Sequence, residues 1–244
     1  MSNKLLKGFM ATAIATAAVL TGSAAEAQVT EEKYDAQYEG TPSDLLRLDY
    51  EDWKTFNAVI NTERNGLNVD ELPEVDLGAL RWAGGVQDVE VYFINEGAGY
   101  RNQLFYSTDS GENKEIIFDD VSSPLSILKN GNGPLALGQG VSLGNFEGNT
   151  FIDFFLKSNG KNGGETFLGF DAAENPSGLQ HILGYNFGEY VLLAFEDIIN
   201  GGDKDYNDTV FVVKGVTDEP ESVPEPAAVL SLLGVGAAMI LRRR

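Results

Sequence analysis

The chain reads as a mainly β protein: an antiparallel β-sandwich, jelly-roll-like, with a short N-terminal helical segment and signal and tail helices at its two ends. Three observations predict this. Short apolar runs recur from residue 88 onward, the clearest with two-residue alternation; each is bounded by Gly, Asn, Asp or Pro; and nothing between them reads as a crossover helix. About eight such runs separated by glycine-rich turns fit stacked antiparallel sheets better than a parallel α/β sheet.

Residues 1–27 have the three parts of a secretory signal. Lys4 and Lys7 precede an apolar run from Gly8 to Leu20, and Ala25-Glu26-Ala27 forms an A-x-A site for signal peptidase. The run is shorter than the ~20 residues a spanning helix needs, so cleavage before Gln28 is expected. Residues 28–85 form an N-terminal leader, loose and acidic to about Pro42. Ser43-Asp44 then caps a helix carrying Leu45, Leu46, Leu48, Trp53, Phe56 and Ile60, and Asn65-Gly66 ends it with a turn.

Residues 86–216 form the β domain. After Gly84-Gly85, Asp88 to Asn95 alternates with Val89, Val91 and Phe93 on one face, and Gln103 to Ser107 follows Gly97-Ala98-Gly99. Further strands are expected at Lys114 to Phe118, Thr150 to Leu156, Glu165 to Phe170, His181 to Tyr185, Tyr190 to Phe195 and Thr209 to Val213. Lys129 to Gly144 is rich in glycine but lacks the strand-to-helix setting of a phosphate loop, and reads as a loop or irregular strand.

Residues 217–226 are a linker containing Pro224-Glu225-Pro226. Residues 227–244 come next as an uncharged stretch from Ala227 to Leu241 closed by Arg242, Arg243 and Arg244. Fifteen helical residues reach only ~22 Å against a hydrocarbon core of ~30 Å, which makes a marginal anchor. The arginines would hold the terminus on the cytoplasmic side and leave the domain outside. The Pro-Glu-Pro, short apolar helix and terminal arginines resemble the PEP-CTERM sorting signal of Gram-negative bacteria. That resemblance implies transient inner-membrane insertion, recognition by an exosortase and processing near Pro-Glu-Pro.

The whole chain has 17 basic and 37 acidic residues. Losing Lys4, Lys7 and Glu26 with the signal and three arginines with the tail leaves 12 against 36, a net charge of −24. Such a surface repels nucleic acid and favours cations, and it also favours solubility. The absence of cysteine excludes a disulfide frame, a thiolate nucleophile and a Cys-ligated metal.

The chemically richest stretch is Phe195 to Asp208, a connection between two strands with five carboxylates and two asparagines in fourteen positions. Asp203, Asp205 and Asn207 alternate like the first side-chain ligands of an EF-hand loop, but Asp208 stands where that loop has glycine and Lys214 where it has glutamate. This is not an EF-hand. With Glu196, Asp197 and Asp208 the set nevertheless offers the oxygens that Ca²⁺ prefers. Turn chemistry is the alternative, because Asn, Asp and Gly serve tight turns without any metal.

Other constellations are weaker. His181 is the single histidine, without a G-x-S-x-G elbow, and reads as structural. Glu147, Asp153 and Glu165 offer carboxylates for a polysaccharide hydrolase. Tyr92, Tyr100, Tyr106, Tyr185, Tyr190 and Tyr206 offer a sugar-stacking face for a carbohydrate-binding module.

Several blocks resemble the DUF4114 family. They are Val91 to Asn102, Phe154-Phe155-Leu156 with Asn159-Gly160, Gln180-His181, Ala194-Phe195-Glu196-Asp197 and Gly201 to Asp208, spanning about residues 88 to 214. Ala194 departs from the glycine that often precedes Phe-Glu-Asp. The resemblance implies an exported, β-rich domain without established catalysis. The resulting expectation is a non-enzymatic surface or extracellular-matrix protein, Ca²⁺-stabilised, with exopolysaccharide or surface glycans as partners and no nucleic acid.

Overall fold

The computed structural model describes residues 29–60 and 66–219. The signal at 1–27, with Ala25 and Ala27, lies outside them, as do Pro224-Glu225-Pro226 and the tail with Arg242 to Arg244. Among the described residues no helix is long and apolar enough to cross a membrane.

The architecture is mainly β, with three antiparallel sheets and few helices. The larger sheet has five strands: β2 (Val89–Asn95), β5 (Gly140–Gly144), β8 (Ile182–Phe187), β9 (Tyr190–Phe195) and β10 (Thr209–Lys214), in the order β5-β2-β10-β9-β8. A second sheet joins β3 (Asn102–Ser107), β4 (Glu115–Val121), β6 (Asp153–Lys157) and β7 (Phe167–Leu168) in the order β4-β3-β6-β7. Two short strands far apart in sequence, β1 (Arg81–Trp82) and β11 (Val216–Thr217), pair as a third sheet.

Strand β10 lies at the centre of the larger sheet, and Thr209 to Val213 are all buried. Such a continuous apolar run requires cover on both faces. On one face Phe211 packs against Phe118 of the second sheet at 5.7 Å with nearly parallel rings, and against Phe93 and Phe195 of its own sheet. The two sheets therefore share one aromatic core. Beside the other face stands helix α2 (Tyr50–Asn57), whose Trp53 donates from Nε1 to the Ile94 carbonyl at 2.9 Å. Its Phe56 meets Phe187 and Tyr190 edge to face.

The N-terminal region differs from the sequence expectation in two ways. The helix starts at Tyr50, not after Ser43-Asp44, because Asp49 caps it by accepting from the Asp52 amide at 2.9 Å. Leu46 and Leu48 instead bond through their backbones to Gly140 and Gly138. The leader is also not loose to Pro42. A short helix, α1 (Glu31–Ala36), buries Tyr34 completely among Tyr38, Tyr50 and Trp53, and the Tyr34 hydroxyl donates to the Leu48 carbonyl. Each such ring pair contributes about 0.5–1.5 kcal/mol beyond its buried area, enough to hold a six-residue helix down.

Glu165 to Phe170 yields only the two-residue β7, and Thr150 to Leu156 becomes β6 starting at Asp153. Within Lys129 to Gly144 the last five residues form β5. At the end of β2 the register with β10 slips, Phe93 facing Phe211 but Asn95 facing Val210. A bulge of this kind bends the strand end and re-aims the next residue, Glu96.

Candidate metal centre

The β9–β10 connection, Glu196 to Asp208, turns tightly. Its backbone is left-handed at Gly201, Gly202, Lys204 and Tyr206. The intervening Asp203, Asp205 and Asn207 differ in exposure: Asp203 is open to solvent, whereas Asp205 and Asn207 are buried. The Asn207 amide donates to Asp205 Oδ1 at 3.2 Å.

Glu196 is decisive for the site. The residue is only 1% exposed, and among the described residues no donor reaches either carboxylate oxygen. One oxygen each from Glu196, Asp203 and Asp205 lie within 4.8 Å of one another. Leaving a buried charged acceptor without a partner costs more than ~1–3 kcal/mol. The Glu196 carboxyl is accordingly pushed up to about 8, first by burial, then by the charge of Asp208 and a hydrogen bond shared with it when Glu196 is protonated, and then by Asp203 and Asp205. The backbone is shaped to admit it: a Cβ on Gly202 would lie 2.0 Å from Glu196 Oε1.

Asp197 and Asp208 are committed elsewhere by one oxygen each. Asp197 Oδ2 accepts from Asn102 Nδ2 at 2.8 Å, and Asp208 Oδ2 accepts from the Asp197 amide at 2.7 Å. Burial, followed by the charge of Asp208, raises Asp197 to about 7 against the opposing Asn102 bond. Burial likewise raises Asp208. Of the six sequence-derived ligands, the structure thus brings Glu196, Asp203 and Asp205 to a common point, with Asp197, Asn207 and Asp208 around them.

A cleft of about 640 Å³ opens above the site, with Gly97 to Tyr100 forming one wall and Asp203, Asp205 and Asp208 among the opposing residues. Gly97 donates its amide to the Asn207 carbonyl at 3.0 Å, and a Cβ there would strike Asn207 Oδ1 at 2.4 Å. Buried His181 secures the loop from behind. Its Nδ1 faces the Glu196 carbonyl at 3.0 Å and so carries the proton, and its Nε2 lies 3.3 Å from Ser177 Oγ.

Sequence reasoning missed Glu96, Ser126, Asn102, Asp120 and Ser158. Buried Glu96 accepts from Ser126 Oγ at 3.1 Å, and burial raises its carboxyl to about 9 with Asp197, Asp120 and Asp208 adding to the shift. Asp120, 4% exposed, pairs with Arg101. Ser158 donates to the Asp197 carbonyl at 2.7 Å. Glu96 and Asn102 lie inside the Val91 to Asn102 block, so the signal was proximity in a shared motif.

Residues 146–216 match the family model of DUF4114, a domain of unknown function. The DUF4114 segment contains β6 to β10 and the whole acidic connection, whereas the block from Val91 to Asn102 precedes it. Neither the search of curated proteins nor that of solved structures finds a match.

Of the other sequence candidates only Tyr100, on the cleft wall, and Tyr206, within the connection, lie at this site. Glu147 and Glu165 are exposed, the latter paired with Lys157, and Asp153 lines a separate pocket. Of the six tyrosines, Tyr92, Tyr185 and Tyr190 belong to the five-stranded sheet, Tyr106 to the four-stranded sheet, and Tyr100 and Tyr206 to loops.

Proposed function

We propose that the chain is an exported, non-enzymatic cell-surface or extracellular-matrix protein whose two larger sheets form a jelly-roll-like β-sandwich fastened at one end by Ca²⁺. The observation that carries the metal reading is Glu196: a buried carboxylate without a donor, at a common point with Asp203 and Asp205. An all-oxygen set favours a hard cation, and Ca²⁺ takes six to eight such ligands. Asp197 and Asp208 each keep a second oxygen, and Asn207 stands beside them. Turn chemistry alone accounts for the left-handed backbone and the exposed Asp203, but not for burying Glu196 without a partner.

The export reading rests on the two ends. Signal peptidase would cut after Ala27, and an exosortase would process the chain near Pro224-Glu225-Pro226 after transient retention in the inner membrane. Mass analysis of the protein from a Gram-negative host bearing an exosortase should give a chain starting at Gln28 and lacking Arg242 to Arg244. Retention of those arginines in mature protein would refute the processing step. For the metal, thermal melting of the full chain with millimolar Ca²⁺ and with chelator is the direct test, since a ligand of the folded state must raise the midpoint. An unchanged midpoint refutes it.

A further inference from the structure

A second cavity, of about 410 Å³, lies away from the acidic loop on the side of the four-stranded sheet. Its volume is within the range of small-molecule sites, ~300–1,000 Å³. Phe151, Phe155, Phe167 and Phe170 supply the aromatic wall, and Asp153, Asp171 and Glu174 supply carboxylates. Nine of its twelve lining residues fall within 146–216, so the DUF4114 segment carries most of this pocket as well as the acidic loop.

The pocket is built, not incidental. Buried Asn175 grips Gly169 from both sides, accepting from its amide and donating to its carbonyl, each at 2.8 Å, and Nδ2 also donates to the Leu179 carbonyl. Gly169 lies against Phe155 and Gly78 against Phe170, each where an added Cβ would come within 3.3 Å of the ring. Side chains at either position would crowd these rings. Lys114 places its ammonium 4.5 Å from the Phe155 centroid and 5.2 Å from that of Phe167, and donates to the Gly111 carbonyl. None of the three carboxylates forms an ion pair among the described residues.

These contents restrict the ligand. An anion would meet three carboxylates, and a second cation would meet Lys114 where it already holds the ring faces. A hydrocarbon would strip water from the carboxylates and return no hydrogen bond. A neutral molecule with apolar C–H faces and several hydroxyl donors satisfies rings and carboxylates together. We propose that this pocket binds a pyranose unit of a neutral polysaccharide, its C–H face against Phe151 and Phe170, the two rings Lys114 does not cover, and its hydroxyls donating to Asp153, Asp171 and Glu174. The site is independent of the cation. Asp153 is held above the usual carboxylate range by burial and by the charges of Glu174 and Asp109, and a hydroxyl donor from the sugar would offset part of that desolvation.

Affinity electrophoresis of the full chain through gels containing dextran, mannan or laminarin, with alginate as the anionic comparison, tests this. Retardation is expected from at least one neutral polysaccharide and not from alginate. Phe151 is 45% exposed, so Phe151→Ala should keep the fold, verified by circular dichroism, and weaken that binding at least tenfold. Glu174→Gln should weaken it several-fold, and Asp203→Asn in the acidic loop should leave it unchanged. No retardation by any of the three, preference for alginate, or full binding by Phe151→Ala overturns the proposal. Loss of binding in Asp203→Asn would move the sugar to the cation loop and overturn it equally.

Discussion

Replacing Glu196 with Gln should stabilise the protein without Ca²⁺ and blunt its response to Ca²⁺, because one side chain is a liability without the ion and a ligand with it. Without cation, Glu196 is a buried acceptor lacking donors, beside Asp203, Asp205 and Asp208. Such a group costs ~1–3 kcal/mol, more when charged. Glutamine has the same shape, no charge, and an amide that donates to those neighbours, so above about pH 8, where Glu196 is ionised, Glu196→Gln should stabilise the chelated protein by about 1–3 kcal/mol. At ~2–4 °C per kcal/mol for a domain of this size, the midpoint should rise by a few degrees or more.

With Ca²⁺ the gap closes, and the order reverses wherever the ion's contribution exceeds the variant's head start. An ion at one hundred times its dissociation constant adds about 2.7 kcal/mol to the wild type, or roughly 5–11 °C. The variant loses an anionic ligand and most of that gain. The assay is a pair of thermal melts at pH 9, above the value of about 8 at which Glu196 takes up its charge, one in chelator and one in millimolar Ca²⁺, for both full-length proteins. A lower midpoint for Glu196→Gln in chelator would refute the argument that Glu196 is held without a partner. An undiminished Ca²⁺ shift in the variant would remove Glu196 from the ligand set.

Single contacts elsewhere set further outcomes. Gly202→Ala should cost about 2–3 kcal/mol in urea denaturation, because its Cβ would lie 2.0 Å from Glu196 Oε1 and its backbone has φ +38; wild-type stability would refute the close packing. Arg101→Met leaves Asp120 buried without its cation; breaking a buried pair costs ~3–5 kcal/mol, and partial exposure of Arg101 reduces the expected loss to about 2 kcal/mol, read from the urea midpoint. Glu96 is raised to about 9 in the folded protein against 4.5 unfolded, so the folded state binds the extra proton between these values and its contribution falls as pH rises through that window. Glu96→Gln should therefore flatten the decline in stability from pH 5 to 9, where one proton accounts for up to ~1.36 kcal/mol per pH unit; identical slopes would exclude a protonated Glu96.

The strands whose own residues carry a period-two alternation or a continuous apolar run were the legible part of the fold, whatever the sequence distance to their partners. Val89 to Asn95, Tyr190 to Phe195 and Thr209 to Lys214 carry their own alternation or apolar run and are bounded by turn residues. Pairings between distant residues left no local trace: Arg81 meets Thr217, and Arg47 bridges to Gln139. The same cause misplaced the helix start, since Leu46 and Leu48 have helical spacing with Trp53 yet bond to Gly140 and Gly138. In the site, the spacing of Asp203, Asp205 and Asn207 marked the acidic turn. The burial of Glu196 was not readable, because it depends on Gly202 and on the fold of the whole connection. Ser126 and Ser158 enter only through tertiary approach, whereas Glu96 was signalled by its place in the Val91 to Asn102 block.

The position of the acidic connection explains why a cation there would affect more than one loop. Asp197 accepts from Asn102 at the start of β3 and, through its carbonyl, from Ser158 just after β6, both in or beside the four-stranded sheet. Asn207 and Asp208 accept from the amide of Gly97 beyond β2, and Glu196 is bonded through its backbone to His181 before β8, both beside the five-stranded sheet. The connection is therefore a seam between the two sheets, made of short polar contacts where the shared aromatic core around Phe211 gives way to acidic side chains. Carboxylates gathered in such a seam repel one another and push the sheets apart when each holds its charge. Neutralising them with protons relieves the repulsion but offers no directional bonds toward Asp203, whereas a divalent ion relieves it and ties the exposed Asp203 to buried Glu196 and Asp205 at once. On that physical ground the ion would serve to close one end of the domain, and the adjacent cleft would keep its shape only while the seam is closed.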